Sequence, residues 1–98
     1  MVYDLTEKLR FDEDPVLVIK NTRLTVRSDA EVVLKLMDVL RQQGEAAGAG
    51  EAMELLLSPE DREKLRSLGL KLDDYIAVVR AAVQLALGAD PEDEPSGE

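Results

Sequence analysis

The chain has 98 residues, 45% hydrophobic and 34% charged, enough apolar material for one modest core and hardly a second. It contains no Cys and no His, which excludes thiolate or imidazole metal sites, Cys or Ser-His nucleophilic machinery and a disulfide scaffold. Its net charge of −9, from 12 Lys+Arg against 21 Asp+Glu, disfavours nucleic acids and anionic membranes as partners.

Five of the negatives, Asp90, Glu92, Asp93, Glu94 and Glu98, crowd the last ten residues and leave −4 on the body through Gly88. Residues 1–88 therefore read as a single globular domain and 89–98 as an acidic disordered tail, which lacks apolar side chains to repay its ordering. No apolar run approaches the ~20 residues of a membrane span. Asp4 and Glu7 interrupt any basic-then-apolar leader pattern, so a cytoplasmic location is expected.

The opening, residues 1–14, reads two ways. Val2, Leu5 and Leu9 have helical spacing, whereas Lys8-Leu9-Arg10-Phe11 alternates like a strand. The expectation is a short ordered segment that packs Leu9 and Phe11 on the core. Asp12-Glu13-Asp14-Pro15 reads as a solvated turn; its acids do not continue into the spacing of a calcium loop. Val16–Lys20 and Arg23–Arg27 are β-branched and read as two strands joined through Asn21-Thr22. Closing this hairpin at Lys20 and Arg23 sets Ile19 opposite Leu24 and Leu17 opposite Val26. Those four share one apolar face, and Val16, Val18, Lys20, Arg23, Thr25 and Arg27 share the other.

Ser28-Asp29-Ala30-Glu31 reads as a capping box opening a helix to about Gln43. Val32, Val33, Leu36, Met37, Val39 and Leu40 fall within an arc of roughly 160° and form its buried face. Gly44 to Gly50 carries three Gly in seven residues. It follows a helix and lacks a Gly-Lys-Ser/Thr continuation, so it reads as a flexible linker rather than a phosphate loop. Glu51–Leu57 is expected as a short helix. Ser58-Pro59-Glu60-Asp61 combines an N-cap, a first-position Pro and first-turn acids, and starts a helix that ends near Leu68 before Gly69. The last helix has Asp73 and Asp74 in its first turn and stops at Gly88. The predicted fold class is α+β and mainly helical: a small amino-terminal β-hairpin followed by a bundle of three to four helices. Leu36, Leu40, Ile76, Val83, Ile19 and Leu24 are expected to share its core.

The last helix is the informative one. Asp73, Ala77, Arg80 and Gln84 form a narrow polar stripe, and apolar residues cover the remaining arc of roughly 240°, well beyond the ~100° a surface helix needs. Either this helix is central and wrapped by the others, or part of the arc binds another chain. The surplus residues are Val78, Ala81 and Leu85, with Tyr75 beside them. No nucleophile is paired with a base. Asp73 and Asp74 point apart on a helix, and Glu60, Asp61 and Glu63 complement a helix dipole. No enzymatic activity, cofactor, metal or small-molecule substrate is expected.

The progression "EAMELLLSPEDREKLRSLGLKLDDYIAVVRAAVQLALG", after a hairpin and "SDAEVVLKLMDVL", resembles the carboxy-terminal half of tail assembly chaperones from long-tailed phages and prophages. The segment from Met53 to Gly88 carries the likeness, about a third of the chain, with the rest similar in architecture. The resemblance implies a non-enzymatic chaperone in the host cytoplasm. It implies binding of the tape measure protein and recruitment of tail tube subunits. In this family short and frameshifted long forms often come from one message. A homo-oligomer is expected, and the protein-binding residues carried over are Tyr75, Val78, Ala82 and Leu85. A second reading is a small acidic interaction or regulatory module, antitoxin-like or transcription-associated, that uses the same helix face as a homodimer interface. There Arg23 and Arg27 would supply a phosphate contact, although two arginines and Lys20 on one face are more often a solvated strand side.

Overall fold

The structure is a computed structural model and describes residues 1–9 and 13–89. Phe11, expected on the core, and the tail beyond Ala89 lie outside the described residues. The fold is α+β and mainly helical, as the patterning predicts: a two-stranded antiparallel hairpin and four helices. Before the hairpin, the opening forms a 3-10 turn at Thr6–Lys8 with no buried residue. Leu9 is 52% exposed, so it does not pack on the core as expected.

The strands are β1 (Val16–Ile19) and β2 (Thr22–Thr25). Their register pairs Leu17 with Leu24 and Ile19 with Thr22. The turn residues are therefore Lys20 and Asn21, at φ 49° and 66°, both positive as a two-residue hairpin turn of the I′ type requires. The expected turn at Asn21-Thr22 is thus one residue late, and each predicted cross-strand pair is off by two. A slip of two keeps every side chain on its face. Leu24 and Val26 are fully buried, Leu17 and Ile19 half-buried, and Val16, Val18, Arg23 and Arg27 exposed.

Helix α1 (Ala30–Ala47) begins after Asp29, which makes no side-chain cap bond. The capping box does not form. Ser28 Oγ instead donates to Asp14 Oδ1 at 2.9 Å, which fastens the approach to the hairpin. Leu36 is fully buried and Val32, Val33, Val39 and Leu40 are half-buried, whereas Met37, assigned to the same face, is 52% exposed. The helix breaks at Gly44, whose φ of +82° lies in the left-handed region. One further turn leads through Gly48 into α2 (Ala49–Leu56).

The stretch read as a flexible linker is therefore built structure. Gly48 N–H donates to Gly44 O at 3.0 Å. A Cβ on Gly48 would stand 2.8 Å from that same backbone oxygen and 3.0 Å from a Val39 methyl. Only glycine lets the two helices meet so closely.

Helix α3 (Pro59–Ser67) follows the predicted start: the Ser58 hydroxyl accepts from Asp61 N–H at 3.1 Å, with Pro59 at the first position. Helix α4 (Leu72–Ala86) ends before Gly88, at φ +87°. The hub of the molecule is α2, which packs against α1, α3 and α4. Ala49, Ala52, Met53, Leu56 and Leu57 are buried there, with Leu24, Val26, Leu36, Leu65, Val79, Ala82 and Ala86 from the surrounding elements. Of the six predicted core residues, Leu24 and Leu36 are fully buried; Ile19, Leu40, Ile76 and Val83 are half-buried and pack on the cluster. The wide-arced helix α4 is not the central one, since it packs chiefly on α2.

Two bonds tie the hairpin to the bundle. Thr25 N–H donates to Asp61 Oδ2 at 2.9 Å. Arg27 N–H donates to Leu56 O, also at 2.9 Å, at the carboxyl end of α2. Both donors lie on the edge of β2 that faces away from β1. That edge is covered rather than left open to pair with another strand.

Candidate protein-binding surface

A helix of eight residues cannot cover one of fifteen. Along α4, Val79, Ala82 and Ala86 meet the core, while the apolar flanks reach past α2. Val78 and Leu85 lie together on one flank, half-buried and packed against the core cluster. Tyr75 is also half-buried, about 60–80° round the helix from them. Leu72 and Leu87 at the two ends are 72% and 53% exposed. Ala82 is fully buried, because it faces α2 along the middle of the contact. It therefore belongs to the core and leaves the set of surface residues. Arg80, in the polar stripe, pairs with Glu45 at 2.9 Å and bridges α4 to the end of α1.

Tyr75 opens onto a cavity between α2, α3 and α4. Burial raises its phenol above the ordinary value of 10.0; Arg62 opposes this and Glu54 adds to it. The folded chain thus holds this proton more tightly than the unfolded chain. Stability should fall as the pH climbs past about 10, where the unfolded phenol ionises first. Between about pH 9 and pH 11 the urea midpoint of Tyr75→Phe should drop less than that of the wild type. Identical alkaline losses in the two proteins would contradict the assignment.

Between the two helices, the clearer exposed apolar surface lies on α1 rather than α4. Leu34 and Met37, one turn apart, are 66% and 52% exposed. Beside Leu34 runs a groove of about 400 Å³ between α1 and α2, lined by Leu34, Lys35, Asp38, Val39, Glu51 and Leu55. Val39 and Leu55 give it an apolar lining, and Lys35, Asp38 and Glu51 supply charges of both signs. The sequence did carry a signal for this surface: Leu34 sits on the otherwise polar side of the α1 wheel, alongside Lys35, Asp38 and Arg41. Exposed large apolar residues clustered in this way mark contact surfaces more often than scattered single ones do.

Among the described residues, no group of three or more His, Cys, Asp or Glu side chains is placed to hold a metal ion. No described helix is long and apolar enough to cross a membrane. Comparison of the chain with protein-family models, with curated proteins and with solved structures returns no match.

Proposed function

We propose that this chain is a non-enzymatic binding protein for apolar helical segments, acting as a phage tail assembly chaperone on the tape measure protein and tail tube subunits in the host cytoplasm. The observation that carries the reading is the α1–α2 groove with Leu34 exposed at its rim, and Met37 exposed one turn further along α1. An amphipathic helix lays an apolar stripe into such a groove and leaves its polar side to solvent. The half-buried flank of Val78 and Leu85, with Tyr75 further round α4, supplies further apolar surface. The net charge of −9 supports solubility of a coated apolar partner through repulsion between complexes.

Co-expression with a tape measure fragment tests this. The double variant Leu34→Glu/Met37→Glu changes only exposed positions, so its circular dichroism should match the wild type. A carboxylate desolvated against an apolar helix costs several kcal/mol unless paired, on the order of a hundredfold or more in affinity. The fragment should therefore remain insoluble beside this variant and soluble beside the wild type. Equal solubility with both proteins would sink the reading. The second reading, a regulatory homodimer, draws on Arg23 and Arg27, exposed on the hairpin. Retention on a polyanion at low salt that Arg23→Ala/Arg27→Ala abolishes would favour it.

A further inference from the structure

The first nine residues hold five large apolar side chains in solvent. Met1 and Val2 are almost wholly exposed, and Tyr3, Leu5 and Leu9 are 65%, 46% and 52% exposed. The segment is not featureless. Lys8 N–H donates to Leu5 O at 2.8 Å, Thr6 N–H to Asp4 Oδ1 at 2.9 Å, and Lys8 Nζ to the Tyr3 hydroxyl at 2.6 Å. Among the described residues, its hydrogen bonds all stay within the segment. Among the described residues, none of its side chains joins the core cluster, so it stands as an apolar arm with local order.

The body offers a matching cavity. About 380 Å³ lies where α2, α3 and the start of α4 meet, with an apolar lining of Met53, Leu65 and Leu70 beside Tyr75. Arg62 also lines it. The Arg62 Nε is buried and has no hydrogen-bond partner, and among the described residues its guanidinium has no ion pair. The neighbouring Arg66 is taken up by Glu63. An unpaired guanidinium at the edge of an apolar cavity finds its best partner in a carboxylate, which accepts from its fork of donors. The cavity therefore suits an occupant with an apolar body and one free carboxylate.

The arm has both. Its Asp4 carboxylate is already engaged by the Thr6 hydroxyl and amide, whereas Glu7 is exposed and makes no bond within the described structure. We infer that the arm of one copy docks in the α2–α3–α4 cavity of a second copy, Leu5 against Met53, Leu65 and Leu70, and Glu7 against Arg62. Each copy carries one arm and one cavity, so reciprocal exchange closes a twofold dimer and leaves no unfilled site. The inference stands apart from the proposed function, because neither Leu34 nor Met37 takes part.

Sedimentation of the full chain over a range of concentrations tests it. The wild type should show a monomer–dimer equilibrium. Glu7→Arg and Arg62→Glu should each weaken it by about a hundredfold or more, because the twofold dimer loses two charge-assisted contacts, one at each arm. An equimolar mixture of the two variants should recover dimers, since each arm then meets a cavity of opposite charge on the other chain. Docking of an arm on its own body gives no such recovery. Leu5→Ser, in a segment with no buried residue in its turn, should weaken association while leaving circular dichroism unchanged. It keeps the test open if Arg62→Glu fails to fold. A wild type that stays monomeric, association indifferent to Glu7→Arg or Leu5→Ser, or a mixture of folded variants that does not recover would each overturn the inference.

Discussion

Leu56→Ala is expected to lower stability by ~2–5 kcal/mol, the usual cost of truncating a fully buried leucine. A domain this small has a total of about 5–15 kcal/mol to lose, and its size puts it near the lower end. Leu56 is fully buried at the carboxyl end of α2, the helix on which α1, α3 and α4 all pack. Its carbonyl also receives the Arg27 N–H that holds the end of the hairpin. The cavity would open at the carboxyl end of α2, where the hairpin and the bundle meet. Gln42→Ala is the contrast. Gln42 is exposed and its amide reaches only Asp38, one turn back, so its loss should stay within about 0.5 kcal/mol. Leu40→Ala, at a half-buried position, should fall between the two. Urea midpoints followed by circular dichroism order the three; equal shifts for Leu56→Ala and Gln42→Ala would show that α2 is not the hub.

Signals confined to a few consecutive residues were legible in the sequence. Ser58-Pro59 starts α3 as predicted, because a hydroxyl acceptor and a preset φ act within one turn. Gly69 and Gly88 both take positive φ just past a helix end, where a residue without Cβ is favoured. The hairpin faces were legible too, since alternation survives a register slip of two. The register itself was not: Asn21 tolerates positive φ, but the turn also draws Lys20 into that region, and nothing local marks a lysine for it. Ser28 met every local requirement of a cap, yet Asp14, far away in sequence, competes for its hydroxyl. Gly48 looked like slack because the sequence does not show Gly44 O and Val39 standing where its Cβ would go. The wide arc of α4 leaves two readings open in the sequence, and only the packing shows that α4 lies at the side and α2 at the centre. The surface on α1 was missed because Leu34 breaks the amphipathic pattern as a single residue, and its meaning depends on Leu55 of α2 lying across the groove.

Asp61 belongs to the same class, since its first-turn position already accounts for a carboxylate there through the helix dipole. Its side chain nevertheless turns away from solvent: it is 9% exposed and accepts the Thr25 N–H at 2.9 Å. Asp61→Ala leaves that amide, on the covered edge of β2, without an acceptor. The loss of a hydrogen bond to a charged group amounts to ~1.5–3 kcal/mol. The Asp61–Lys64 pair, at 3.3 Å, adds little because the lysine side chain is 53% exposed. The Ser58 cap survives in either case, since it uses the Asp61 backbone N–H. Asp61→Asn keeps an oxygen in place and should recover a large part of the loss, whereas Lys64→Ala should be nearly silent. Urea midpoints give this ordering, and hydrogen exchange at the Thr25 amide gives its location, with protection lost in Asp61→Ala before the helices of the bundle open. If Lys64→Ala proves as damaging as Asp61→Ala, the ion pair carries the effect. If both are silent, the apolar face of the hairpin and the Arg27–Leu56 bond hold it in place, and the carboxylate closes the β2 edge without stabilising the fold.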